Sequence, residues 1–89
     1  MYFVYIIYSK NFDKYYKGFS ENPHRRLEQH NNAESRYTQH YTPWTLIYIE
    51  QLSDKTTALK REVALKKYSK SQILDLIKSS KNILNINNT

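Results

Sequence analysis

Val4-Tyr5-Ile6-Ile7-Tyr8-Ser9-Lys10-Asn11-Phe12-Asp13-Lys14-Tyr15-Tyr16-Lys17-Gly18 is the stretch whose reading decides the fold. Residues 2–8 are β-branched or aromatic almost throughout. A run of that kind without polar alternation predicts a strand buried on both faces. Asn11 and Asp13 are turn formers, and Tyr15 to Phe19 reads as the returning strand. The two runs therefore predict an antiparallel hairpin. Gly18 is the single glycine of the chain. A lone glycine within a strand marks a bulge or a place where another group comes close. Tyr5 and Tyr16 fall near the middle of neighbouring strands, so their hydroxyls either sit at the water boundary or converge on a site.

Working outward, Asn22-Pro23 is an N-cap followed by a proline at the first helical position, which predicts a short helix from Pro23 to His30. Pro23, Leu27 and His30 share one face of it, with Arg26 at the edge. So little apolar surface beside an Arg and a His four residues apart presents a polar face to something. Residues 31–43 form a polar connection that is long for a compact domain, as functional loops often are. Trp44 to Leu52 reads as a third strand. Ser53 or Asp54 caps a second helix over 55–68, and Ser69 or Ser71 opens a third that runs to about Ser79. The domain is expected over 1–80, with 81–89 a polar tail whose Ile83–Ile86 either adds a short edge strand or frays.

The second helix carries Glu62 amid Ala58, Leu59, Val63 and Leu65. A carboxylate in that arc faces the sheet. Burying it unpaired is expensive, so it calls for a cation, either a metal or a basic side chain such as Arg26. Lys60, Lys67 and Lys70 are expected to project freely from the opposite face.

The 89 residues carry a formal net charge of +6 and a pI near 9.6. That balance favours a polyanionic partner, nucleic acid before an anionic membrane face. The basic residues oppose no wide apolar face, which argues against a membrane-surface protein. No run is long and apolar enough to span a membrane, and no secretory leader is evident. There is no cysteine, which rules out disulfides and thiolate metal sites and makes the cytoplasm the default location.

A tyrosine hairpin, a helix with Arg and His at i, i+4 and a helix with an inward Glu, in this order, resemble the GIY-YIG nuclease superfamily, and most closely its small stand-alone bacterial members. Phe3-Val4-Tyr5 stands where the GIY half falls, and Tyr16-Lys17-Gly18 where YIG falls. Arg25-Arg26-Leu27-Glu28-Gln29-His30 matches the family's R-x-L-x-x-H helix, with Arg26 four residues before the histidine, and Pro43 to Tyr48 and Ala58 to Glu62 match its third strand and acidic helix. The match runs from residue 2 to about 78. The chain departs from the motif at Phe3, which replaces the first glycine, and at Lys17, which replaces the central isoleucine.

The resemblance implies an α+β fold, a three-stranded antiparallel sheet flanked by helices in the order β-β-α-β-α-α. It implies a metal-dependent DNA endonuclease acting in repair or recombination. Glu62 would hold one Mg²⁺ or Mn²⁺ ion, a hard cation that keeps most of its waters. Arg26 would clamp the scissile phosphate with its fork of donors. Tyr5 or Tyr16 would be the general base, its phenol lowered from a pKa of ~10. His30 would orient a tyrosine or shuttle the proton. Lys17, Lys60, Arg61, Lys66, Lys67 and Lys70 are the expected DNA contacts, with His40 and Thr38 in the loop weaker ones. The competing reading is a non-catalytic nucleic-acid-binding module, which has no need of a carboxylate that repels phosphate. So small a chain offers little surface for base readout. Specificity is then low, or reads DNA structure, or depends on a homodimer or a protein partner.

Overall fold

The computed structural model describes residues 1–88. Strand β1 (Tyr2–Ser9) pairs antiparallel with β2 (Lys14–Ser20) and, on its other edge, with β3 (Thr45–Leu52), giving the sheet order β2-β1-β3. The central position of β1 explains its apolar run, since Val4, Tyr5, Ile6 and Ile7 are all buried. The hairpin turn places Asp13 at φ 50°, a left-handed conformation that Asp tolerates.

Helix α1 (Pro23–Asn31) starts as the sequence predicts, with the Asn22 side chain accepting from the Arg25 N–H. It ends in a Schellman-type turn, in which the Ala33 N–H bonds to the His30 carbonyl and the Glu34 N–H to the Gln29 carbonyl. Helices α2 (Lys55–Lys66) and α3 (Lys70–Ile77) begin at Asp54 and Ser69, whose side chains accept from the third helical N–H. Ser69 and Gln72 form a reciprocal capping box.

The sheet separates two cores. Val4, Ile6 and Tyr48 pack with Ala58 and Leu65 of α2 and Ile73 and Leu76 of α3. Tyr5, Ile7 and Trp44 pack on the other face with Leu27 of α1. The β1–β3 register slips between Ile6, opposite Tyr48, and Ile7, opposite Leu46. This bulge leaves Ile47 as an extra residue, so Ile47 and Tyr48 both serve the α2–α3 core while Leu46 serves the α1 core.

Two sequence expectations need correction. The buried arc of α2 runs through Ala58 and Leu65, whereas Leu59 and Val63 are 37% and 53% exposed. Residues 83–88 form a 3₁₀ turn and not an edge strand. The free edge of β3 is instead met by one side chain, Asn82, which is 1% exposed. Its Nδ2 donates to the Ile47 and Ile77 carbonyls at 3.0 Å each, and its Oδ1 accepts from the Ile49 and Leu84 N–H groups at 3.2 Å. One amide thus mimics a strand residue and ties α3 to the sheet. Removing it leaves buried backbone groups unpaired, at about 1–3 kcal/mol. Asn82→Ala is therefore expected to lower unfolding free energy by about that amount in urea titration, with α1 and its contacts unaffected.

Candidate functional site

The face of the sheet under α1 gathers four of the sequence-predicted residues. Tyr5 lies opposite Gly18 in the hairpin register. A Cβ added at Gly18 would stand 2.5 Å from the Tyr5 hydroxyl and 2.7 Å from its Cζ. Gly18 has no positive φ, so the glycine is there for space: its missing side chain is where the phenol lies. The Tyr5 hydroxyl then meets His30 Nε2 at 2.9 Å. His30 is fully buried, and its Nδ1 is 2.7 Å from the Thr38 hydroxyl. Thr38 is itself fully buried, on a 3₁₀ turn (Thr38–Tyr41) in the long loop. The loop is held by Trp44, whose indole N–H donates to the Thr38 carbonyl, and by Asn31, whose amide pairs with both the N–H and the carbonyl of Trp44.

Tyr16 stands on β2 on the same face, with its ring centroid 5.2 Å from His30. It is half-buried, and its hydroxyl makes no hydrogen bond among the described residues. Arg26, one turn before His30, is half-buried and donates to Gln29 Oε1 at 2.6 Å, while Arg25 is exposed.

These neighbours set the electrostatics. Burial pushes the Tyr5 phenol up to about 12, against the Arg26 guanidinium beside it, which pulls it down. Burial and then the Arg26 charge drag the His30 imidazole down to about 4, so it is neutral at pH 7. A neutral imidazole has one donor and one acceptor nitrogen, which matches a ring with one hydroxyl at each end.

Glu62 stands on α2, the helix that packs on the opposite face of the sheet. Its charge contributes to the raised Tyr5, and its side chain is 16% exposed. Its one ion partner among the described residues is Lys66, at a loose 3.8 Å; no ion pair with Arg26 forms. The described residues contain no cluster of three metal-ligating side chains. A single carboxylate with unclaimed oxygens still suits a hard cation that retains its waters and binds phosphate as well.

The basic surface differs from the sequence expectation. Arg61 is turned inward, donating to Glu50 at 3.0 Å and to the Tyr68 hydroxyl at 3.3 Å, and so is not a free phosphate contact. Lys70 is engaged by Asp13 at 3.0 Å. Lys17 is half-buried on the α2 face opposite Tyr16, where burial lowers its pKa. Thr38 is withdrawn from solvent and spent on His30. Lys60, Lys67 and His40 are exposed. The buried role of Thr38 and the loop-holding role of Asn31 have no periodic signal in the sequence; their one clue is that the loop beside His30 is rich in hydroxyl and amide side chains.

A family model described as the GIY-YIG catalytic domain matches residues 1–75. UPF0213 proteins of Staphylococcus aureus strains Mu3 and N315 are each 36% identical over 77 residues, covering 85% of this chain and 93% of theirs. The solution NMR structure of the UPF0213 protein BH0048 from Bacillus halodurans has the same fold, with a TM-score of 0.56 at 23% identity over 94% of this chain and 90% of that one. No helix among the described residues is long and apolar enough to cross a membrane.

The depressed His30 carries a pH signature. Its folded pKa of about 4 lies below an unfolded value of ~6.5, so the unfolded state takes up a proton first as pH falls. Stability is thus full above about pH 6.5 and declines toward pH 4, by at most about 3 kcal/mol from this group. Urea unfolding at pH 7 and at pH 4.5 is expected to show that decline, and His30→Gln should flatten it.

Proposed function

The chain belongs to the GIY-YIG family, and from that membership we propose that it is a divalent-metal-dependent endonuclease that hydrolyses DNA phosphodiester bonds in repair or recombination. The observation that carries this reading is the Tyr5–His30–Thr38 hydrogen-bond chain with Arg26 beside it. Phosphodiester hydrolysis needs a cation on the non-bridging oxygens, a base for the attacking water and help for the leaving oxygen. Arg26 offers the first, since its half-buried guanidinium has donors left after Gln29 takes one.

Tyr5 alone is a poor base, because burial holds its proton firmly. Coupled to His30 it becomes a relay. With the imidazole proton on Nδ1, toward Thr38, Nε2 accepts the phenolic proton while the phenol oxygen takes one from water. A phosphate docked on Arg26 also cancels part of the positive field that keeps His30 from accepting a proton. Tyr16, half-buried on the same face with an uncommitted hydroxyl, would contact the phosphate. A Mg²⁺ or Mn²⁺ ion at Glu62 would supply charge stabilisation at the phosphate and the leaving oxygen. The exposed lysines, Lys60 and Lys67 foremost, and His40 would hold the DNA backbone, with Lys66 joining them when Glu62 takes up a metal.

The test is cleavage of flapped, branched, nicked and linear DNA with and without Mg²⁺. Wild-type binding without any cleavage would leave the non-catalytic binding module as the reading. Glu62→Gln should abolish metal-dependent cleavage while DNA binding persists. Arg26→Ala should slow single-turnover cleavage by ~10²-fold or more, as expected for a lost transition-state contact. Arg25→Ala, on an exposed side chain one residue away, should change the rate only a few-fold. Equal defects in the two arginine variants would remove the proposed site.

A further inference from the structure

A run of aromatic rings leads away from the site along the surface. Tyr16 faces Tyr37 in a nearly parallel arrangement, with centroids 6.1 Å apart and planes at 27°. Tyr37 adjoins Tyr41 at 5.2 Å, and Tyr41 adjoins Phe12 at 5.3 Å. The path is built from the tip of the β1–β2 hairpin and from the loop after α1. It begins at His30, which Tyr16 touches.

Phe12 and Tyr37 are each 49% exposed. Apolar rings left so open do little for the core, and an exposed row of them signals a binding surface. The flank carries a cation, Lys14, whose Nζ lies 5.4 Å from the centre of the Tyr41 ring, and the imidazole of His40 lies beside the same ring at 6.3 Å. The acidic group at the hairpin, Asp13, is already engaged by Lys70 and Tyr8.

Ring faces and cations recognise two different parts of a nucleotide. Every base has a π-face that stacks on an aromatic side chain, and the cations answer the phosphates. In a duplex the base faces are stacked on one another and hidden, so open rings beside a phosphate site add nothing for paired DNA. We propose that Phe12, Tyr37 and Tyr41 form a stacking platform for unpaired nucleotides, so that the protein takes DNA whose strand is single next to the scissile phosphate. This rests on the reading that the adjoining site receives DNA, and it narrows the substrate class to flaps, gaps and single-stranded ends. The continuity from His30 through Tyr16 to Tyr37 fixes the direction in which the unpaired segment leaves the site.

The test is binding in EDTA, where no cleavage occurs, to a short fluorescein-labelled oligothymidine and to a blunt duplex of equal length, followed by anisotropy. The wild type is expected to bind the single strand more tightly than the duplex. The double variant Phe12→Leu, Tyr37→Leu keeps apolar bulk but loses the π-faces, and should weaken single-strand binding about ten-fold. Its duplex binding should change less than about two-fold. Tyr37→Phe keeps the ring face and should bind like wild type. Both positions are half open to solvent, so circular dichroism should match wild type throughout. A double Leu variant that binds the single strand as wild type does, or a wild type that prefers the duplex, overturns the proposal. Cleavage in Mg²⁺ is scored separately: ring-dependent binding without cleavage sinks the nuclease reading and leaves the platform standing, and cleavage without ring-dependent binding does the reverse.

Discussion

Everything on the α1 face depends on the empty volume at Gly18. With only a hydrogen there, the Tyr5 phenol can lie flat across β2 and direct its hydroxyl at His30. His30 in turn has a fixed ring plane, because its other nitrogen is held by Thr38. Thr38 is held by Trp44 through its carbonyl, and Trp44 by Asn31. A space of one methyl group is therefore transmitted through five residues into the conformation of the long loop. The same chain of contacts decides protonation: it buries an imidazole and a phenol together, and both stay neutral at pH 7.

The two faces of the sheet divide the charge unevenly. On the α2 side, Arg61 and Glu50 neutralise each other with Tyr48 and Tyr68 bonded around them. On the surface Lys70 is matched to Asp13. Each pair sums to zero, so neither adds to the field that an incoming polyanion meets, and the net +6 is carried by the other cations. The exposed cations are spread over the surface, among them Lys14 at the hairpin, Arg25 on α1 and Lys60 and Lys67 on α2.

The order of elements is legible in the sequence because each carries a local signal. Asn22-Pro23, Asp54 and Ser69 mark helix starts, and the apolar run of β1 marks a central strand. The lone glycine is legible as a close approach, and the partner turns out to be Tyr5. The joining of Tyr5, Tyr16, Arg26 and His30 follows from the hairpin and the phase of one short helix. The phase of α2 is less legible. Five apolar residues fit more than one arc, and a long arginine buries as well as a leucine when a carboxylate and a phenol wait for its donors. Thr38, Asn31 and Asn82 are illegible because their partners are backbone groups or side chains far along the chain, and a polar residue in a loop looks the same whether it faces solvent or closes a sheet.

Asn82 has a meaning beyond its own four hydrogen bonds. A three-stranded sheet has two free edges, and an unpaired strand edge is a template for another copy of the chain. On β2 the edge strand carries Lys14 and Lys17, and charged side chains there discourage pairing with a second strand. On β3 the residues Leu46-Ile47-Tyr48-Ile49 carry no charge at all. The amide of Asn82 occupies the Ile47 carbonyl and the Ile49 N–H on that edge. The segment after α3 thus acts as a guard against strand-to-strand self-association, and a chain that loses it exposes its most β-prone strand to its neighbours.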